Sequence, residues 1–280
     1  MDVFKIAVVG DIHSNVLALR SCLDSISQYE KSDAPIDLVV FMGDLFTYGV
    51  RSGDTLAEIY KYINTQPSVL ILGNHDQLYL DLISQSSLGY YQSLPWWIKE
   101  SVDLNLKGFN PSLFSVLPFV PSFMIKNMLF SHANFSSLID KVPNWRYVNS
   151  YQDHLDQSRI VSSNDCVLGV LGHTHRATCF SFTEKNFSGI FPSVRHSPLP
   201  ELMIDISDFS CSIFNAGSIG QPRQKPLPDP SWLLLERYAP SRITATFKPF
   251  SYDLNTHFSD IKTSGLSGGC VQKLLSFFGS

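Results

Sequence analysis

Seven side chains bearing oxygen or nitrogen donors stand in five short polar clusters of this 280-residue chain, and their types suit the grip of divalent cations. The clusters read Gly10-Asp11-Ile12-His13-Ser14-Asn15, Gly43-Asp44, Gly73-Asn74-His75-Asp76, Ser131-His132-Ala133-Asn134 and Gly172-His173-Thr174-His175-Arg176. Asp11 and His13 lie two apart, as do His173 and His175. At a strand end that spacing sends both side chains of a pair to one face, with Thr174 pointing away. Asp44 can use both carboxylate oxygens and so bridge two cations, while Asn74 adds a neutral carbonyl oxygen and His132 another imidazole. One ion would draw on Asp11, His13, Asp44 and His175, the other on Asp44, Asn74, His132 and His173, with open positions on both. Imidazole and carboxylate without thiolate suit manganese first, and iron, cobalt, nickel or zinc as well, rather than calcium or a structural zinc–thiolate site. A single Asp or His at a strand end is more often a cap or a surface group; seven in this order and context reverse that reading.

Two divalent ions roughly 3.5–4 Å apart lower the pKa of a bridging water, hold phosphoryl oxygens and neutralise the charge of an in-line displacement. A bridging hydroxide then attacks, and no protein nucleophile is required. The leaving oxygen still benefits from a proton donor. His75, adjacent to a donor residue but not expected to be one itself, is the candidate for that role or for stabilising a phosphoryl oxygen, the alternative being a histidine that braces its loop. Asp76 is expected to orient the His75 ring. Arg223 could clamp phosphate through two N–H groups or form an ordinary bracing ion pair. Arg51, Arg176, Asn15 and Tyr48 are weaker candidates for touching substrate or ordering water. His154, His196 and His257 have no partner motif and read as surface or core histidines.

Something must carry these clusters to one place. Each follows an apolar run, Phe4 to Val9, Leu38 to Met42, Val69 to Leu72, Met128 to Phe130 and Val167 to Leu171, of the kind that forms strands buried on both faces. Phe4–Gly10, Ile36–Met42 and Ser68–Leu72 read as strands separated by helices over Asn15–Tyr29 and Gly53–Ile63, so the first half is a parallel α/β unit with right-handed crossovers. In open α/β sheets ligands bind beyond the carboxyl ends of the strands. A helical insertion or cap is expected over about 77–118, carrying Tyr90, Tyr91, Trp96 and Trp97; the plainer reading is that these aromatics only cover the core. Phe123–Phe130 resumes the strand pattern. After Leu171, short segments at Ala177–Thr183, Glu201–Ile206, Ser212–Asn215, Trp232–Glu236 and Ile243–Pro249 imply a second, largely antiparallel sheet. Ile190–Pro200, with Arg195 and His196, and Gln221–Pro230 read as Pro-stiffened loops. A helical extension is expected over about 253–280. One domain spanning 1–280 is the default organisation.

Composition narrows the functional classes. The 21 Lys plus Arg against 25 Asp plus Glu give a formal charge of −4, with no basic run, so extended nucleic acid is not an expected partner. No apolar run approaches the ~18 residues of a membrane span, and no leader segment is read at the N-terminus. Five widely spaced cysteines without a C-x-x-C pair fit buried fillers in a reducing compartment, so a cytoplasmic location is expected.

The five ordered clusters resemble those of the calcineurin-like metallophosphoesterase superfamily. Gly217-Ser218-Ile219-Gly220-Gln221-Pro222-Arg223 after Asn215 is similar to the closing motif of its bacterial and archaeal phosphodiesterase and diadenosine-tetraphosphatase-like branch. The resemblance runs from about Phe4 to Arg223. It implies a four-layer αββα sandwich of two mixed sheets, an α/β fold with the metal site at the strand ends, and it agrees with the ligand assignments above. Asp44 is followed by Leu45-Phe46-Thr47-Tyr48-Gly49, where the protein-phosphatase branch carries an Arg, which argues against a phosphoprotein substrate. Ser14 and Ala216 stand where relatives usually have Gly and Pro.

The expected activity is therefore hydrolysis of a small phosphate ester. One alternative is a non-catalytic interaction scaffold, as one retromer subunit of the superfamily is, although every ligand and the catalytic His position are present here. Another is a nuclease, which expects a basic groove that composition does not offer. The aromatics from Tyr90 to Trp97 could also support a homo-oligomer.

Overall fold

The computed structural model describes residues 3–136, 138, 143–182, 203–205, 211–224, 227, 229–239 and 242–279. Arg195 and His196 of the expected Pro-rich loop, and most of that loop's surroundings, lie outside the described residues. The first half runs β1 (Phe4–Val9), α1 (Val16–Ser32), β2 (Leu38–Phe41), α2 (Ser52–Ile63), β3 (Ser68–Ile71), then four helices, α3 (Asn74–Ser84), α4 (Gly89–Ser93), α5 (Trp96–Gly108) and α6 (Pro111–Ser115), before β4 (Phe119–Val120). The rest comprises β5 (Ser122–Ile125), β6 (Met128–Ser131), α7 (Tyr151–Ser163), β7 (Leu168–Leu171), β8 (Thr178–Phe182), β9 (Met203–Asp205), β10 (Cys211–Asn215), β11 (Ser231–Ala239), β12 (Arg242–Pro249), α8 (Leu254–Thr263) and α9 (Gly268–Leu275).

The strands form two mixed sheets. The seven-stranded sheet has the order β4-β3-β2-β1-β11-β12-β9 and the five-stranded sheet the order β5-β6-β7-β10-β8. β1 to β4 are parallel neighbours, as are β6, β7 and β10, while β1–β11, β11–β12, β12–β9, β5–β6 and β10–β8 are antiparallel.

Alternation along the strands sorts their buried apolar residues into three interior layers. Ile6 and Val8, with Val40, Met42, Leu233 and Leu235, meet Met128, Phe130, Leu168, Val170 and Phe214 between the two sheets. Their neighbours Ala7 and Val9, with Val39, Phe41, Trp232 and Leu234, face the other way against Ala18, Leu19, Cys22 and Ile26 of α1 and Leu56 and Ile59 of α2. On the far side, Leu129, Leu171 and Ile213 pack against Leu155 and Val161 of α7. The result is a four-layer αββα sandwich. Each of the Val, Leu, Ile, Phe and Met side chains among these contributes roughly 1.5–3 kcal/mol when fully buried, and a one-residue slip of register would exchange whole layers.

Three features differ from the sequence expectation. The short segments after Leu171 do not make a largely antiparallel sheet of their own: β11, β12 and β9 continue the seven-stranded sheet beyond β1, and the five-stranded sheet is mixed, with β6, β7 and β10 parallel. Phe123–Phe130 is a hairpin rather than one strand, because Lys126 and Asn127 both have positive φ, 48° and 66°, which is the geometry of a two-residue turn with the twist of its strands. α7 was not expected, since its sequence is too polar to show a clear apolar face. Its start is marked by Ser150, which accepts from the Asp153 amide, while Asp153 accepts from the Ser150 amide: a reciprocal cap. Among the described residues, no helix is long and apolar enough to cross a membrane.

Candidate metal centre

All five clusters lie just past the carboxyl ends of parallel strands, β1, β2 and β3 in one sheet and β6 and β7 in the other. The donors nevertheless do not extend those strands. His13, Asp44, His173 and His175 have φ of 49°, 51°, 65° and 59°, the left-handed region that costs a residue with a Cβ of order 1 kcal/mol or more. The two-residue period is therefore not what makes the pairs converge; tight left-handed turns do. Ser14, Thr47 and Tyr48 in the same loops share this conformation.

Ligand atoms of Asp11, His13, Asp44 and His175 lie within 4.8 Å of one another, as do those of Asp44, His132 and His173, so Asp44 belongs to both groups. Asn74 joins the second group, its Oδ1 lying 3.2 Å from His132 Nε2. All of these side chains are buried. Asn74, His75 and Asp76 are not a loop but the first turn of α3, with Gly73 as its N-cap. The capping residue cannot carry a side chain, because a Cβ on Gly73 would collide with the Asp44 backbone and carboxylate.

Each ligand imidazole is held from behind by a backbone carbonyl, which can only accept a hydrogen bond. His13 Nδ1 donates to Phe46 at 2.9 Å, His132 Nδ1 to Met42 at 2.6 Å, His175 Nδ1 to Gln221 at 2.6 Å and His173 Nε2 to Trp145 at 3.0 Å. These bonds hold the rings and turn the second nitrogen of each toward the other donors, bare on His13, His173 and His175. The bare Nε2 atoms of His13 and His175 consequently face each other at 2.9 Å with no proton to share. Two lone pairs aimed at one point repel, and a cation between them is what the arrangement fits. Asp11 Oδ2 is likewise buried without a partner.

The electrostatics agree. Burial pushes His13 and His173 down to about 3 and His175 well below its ordinary value, so all three keep free lone pairs at neutral pH. Burial acts to lower His132 too, but Asp44 and Asp11 outweigh it and lift that ring to about 9; a divalent cation competes with this proton for the same nitrogen. Burial, the largest influence on Asp44, acts to raise it, yet the surrounding imidazoles, His132 first, hold it well below the carboxylate range. Burial lifts Asp11 to about 7.

Beside the donors lies a cavity of about 300 Å³, lined by Asp44, Asn74, His75, His173 and His175 on one side and by Tyr48, Tyr90, Leu94, Ile98, Trp145, Tyr147 and Arg223 on the other. His75 Nε2 is 3.2 Å from the Tyr48 hydroxyl. Burial lowers the His75 pKa, and Arg223 adds to the effect, so the ring is neutral. Tyr147 stacks on His173 with centroids 4.1 Å apart.

Four of the expected substrate or catalytic roles are corrected. Asp76 does not orient His75; its carboxylate accepts from the amides of Asp44 at 2.7 Å, Leu45 at 2.9 Å and Gly73 at 3.0 Å, which ties the aspartate common to both donor groups to the start of α3. Asn15 caps α1 through Ala18 and donates to Gly220 O and the Tyr252 hydroxyl, so it has no donor left for substrate. Arg51 is paired with Asp260 at 2.6 and 2.8 Å. Arg176 is exposed and does not line the cavity. Tyr90 reaches the cavity from α4, within the expected helical insertion, whereas Trp145 and Tyr147 come from the 143–149 loop, where no spacing signal marks them.

The model of the calcineurin-like phosphoesterase family matches residues 4–177, a stretch that holds all seven donors. The chain belongs to the calcineurin-like phosphoesterase family. An uncharacterized protein of Methanocaldococcus jannaschii is 27% identical over 225 residues, 78% of this chain and 77% of that one. Among solved structures, a metallophosphoesterase from Sphaerobacter thermophilus has a TM-score of 0.70 at 22% identity and covers 98% of both chains. A hypothetical protein from Pyrococcus horikoshii has a TM-score of 0.71 at 14% identity and covers 97% of both. These likenesses bear on the fold, and the αββα sandwich with a buried donor cluster at its strand ends is that of a calcineurin-like phosphoesterase.

Proposed function

We propose that this chain hydrolyses a small phosphate monoester or diester with two divalent ions, manganese first among those the donors suit. One would be held by Asp11, His13, Asp44 and His175, the other by Asp44, Asn74, His132 and His173. When bound, such ions supply an activated water and offset charge on the phosphoryl oxygens. The observation that carries the reading is the facing pair of bare nitrogens on His13 and His175, beside two buried carboxylates and a cavity with a guanidinium on its wall. Arg223 would bind a phosphoryl oxygen through N–H donors. In the tautomer that carries its proton at Nε2, on the side of Tyr48, the neutral His75 would turn that N–H to the leaving or a phosphoryl oxygen. Asp76 holds Asp44 in place rather than reacting. The organic part of the ester would lie against Tyr90, Leu94, Ile98 and Tyr147, and the cavity's size together with the net charge of −4 favours a small ester over nucleic acid.

The test is turnover of p-nitrophenyl phosphate and bis-p-nitrophenyl phosphate with manganese, cobalt, nickel, iron and zinc in turn. Metal-dependent hydrolysis that disappears in Asp44→Asn and drops by about 10²- to 10⁴-fold in His75→Ala is expected. Fully metallated protein that leaves a broad phosphoester panel untouched would overturn the reading.

A further inference from the structure

Three side chains from distant parts of the chain meet: Tyr48 after β2 and Arg223 after β10, which line the cavity, and Phe277 after α9, which packs on both. The Arg223 guanidinium carbon lies 5.8 Å from the Tyr48 ring centroid and 5.5 Å from that of Phe277, and the two centroids are 6.2 Å apart. The cation therefore caps a pair of rings. Its other contacts are few: Nη2 reaches Gln221 Oε1 at 3.3 Å and the Tyr48 hydroxyl at 3.5 Å, and Tyr147 is a further side-chain hydrogen-bond partner of the guanidinium. Its Nε is buried with no hydrogen-bond partner, and among the described residues no carboxylate lies within ion-pairing distance. The Arg223 amide donates to the carbonyl of His175, at 3.2 Å, which ties the residue's backbone to a metal donor. A largely desolvated guanidinium with ring faces on one side and spare N–H groups toward the cavity is poised for an anion.

Phe277 can take this position only because the C-terminal helical pair is bolted down. Asp260 of α8 holds Arg51 through two hydrogen bonds. Ser267, the cap of α9, donates its hydroxyl to Glu100 at 2.7 Å, and Cys270 packs with Ile261 and Leu274 against Tyr48. Arg51 thus serves the site from a distance.

We propose that the C-terminal helical pair is part of the substrate site: Phe277, together with Tyr48, holds the Arg223 guanidinium where it binds a non-bridging oxygen of the substrate's phosphoryl group. Phe277 is a positioning residue that acts through Arg223. A ring face attracts the cation by its quadrupole, whereas an aliphatic side chain of similar bulk only fills space. This rests on the phosphoester reading above.

The experiment is calorimetric titration of inorganic phosphate into the manganese-loaded full chain. Phe277→Leu is expected to weaken binding roughly three- to tenfold, Phe277→Tyr to restore it, and Phe277→Leu to add nothing in an Arg223→Ala background. Phe277→Met carries the same expectation should the leucine variant fail to fold by near-ultraviolet circular dichroism. Wild-type affinity in Phe277→Leu, or equal weakening with and without Arg223, would overturn the proposal, since a general packing defect does not depend on the guanidinium. If the metal-loaded wild type binds no phosphate at all, the phosphoester reading falls and takes this proposal with it.

Discussion

Replacing Gly73 by alanine places a methyl group where the shared aspartate has to be. Gly73 has φ of −93°, ordinary for any residue, so the substitution carries no left-handed strain and its effect comes from contact. The added Cβ would lie 3.0 Å from Asp44 Cα and closer still to the Asp44 amide and Oδ1, against about 3.5–4.0 Å for comfortable carbon contact. Asp44 must then retreat by about 1 Å by that measure. It is not free to do so: its amide donates to Asp76 at 2.7 Å, its Oδ1 accepts from the His75 amide at 2.9 Å, and its carbonyl accepts from the amides of Ile12 and His13. Losing one hydrogen bond to a charged group costs about 1.5–3 kcal/mol, and alanine is poorer than glycine as an N-cap by up to about 1 kcal/mol. The expected loss of stability is about 2–4 kcal/mol. Displacement of the shared carboxylate by about 1 Å should also lower turnover on the order of 100-fold. Urea unfolding of the metal-free protein measures the first effect; manganese titration and p-nitrophenyl phosphate turnover measure the second. Gly268→Ala is the control, because a Cβ there meets nothing within 4 Å. Gly73→Ala protein with wild-type stability, manganese affinity and turnover would refute the argument that the close approach of these two loops sets the carboxylate.

Other outcomes follow from single contacts. Asn74 donates to the Tyr90 hydroxyl at 2.9 Å, which keeps its oxygen turned toward His132; Tyr90→Phe should weaken binding of one of two manganese ions several-fold while costing about 1 kcal/mol or less of stability, and unchanged stepwise affinities would count against it. Asn15→Ala should cost about 1 kcal/mol through the lost cap and leave KM alone; a raised KM at unchanged stability would restore a substrate role to Asn15. His257, 4% exposed in α8, is pushed down from 6.5 to about 4, chiefly by burial, with Arg51 assisting and Asp260 opposing. The unfolded chain therefore binds more protons between those values, so stability is lost as pH falls from 6.5 and the loss is complete below 4. Between about pH 7.5 and 5 the contribution is about 2 kcal/mol. His257→Gln should remove this part of the pH dependence, and urea curves for the two proteins that differ by a constant at every pH would contradict it.

Much of the frame was legible because strand alternation is a property of adjacent residues. Phe4–Val9 and Leu38–Phe41 could be read as strands with two buried faces, and the polar clusters that follow them mark the edge where donors gather. α7 was missed because its burial comes from contact with β7 and β10 rather than from an apolar stripe of its own, and the Lys126–Asn127 turn because Asn127 favours positive φ but Lys126 does not and no glycine follows. Arg51 and Arg223 show the limit most clearly. Both are arginines on loops that follow a strand's polar cluster, yet one is neutralised by Asp260, more than two hundred residues away in sequence, and the other is left with ring faces and spare donors.

By itself the sequence determined which donor types are present, their order, and that each cluster follows a buried strand, since these depend only on side-chain chemistry and on the two-residue period of a strand. Tertiary structure alone decided how the donors converge, through left-handed turns rather than through that period. It also decided which ring nitrogen of each of the four donor histidines faces the other donors. The partners that settle this are the backbone carbonyls of Phe46, Met42, Trp145 and Gln221, and every residue of any chain has a carbonyl. Nothing but the folded arrangement says which carbonyl a given imidazole will find.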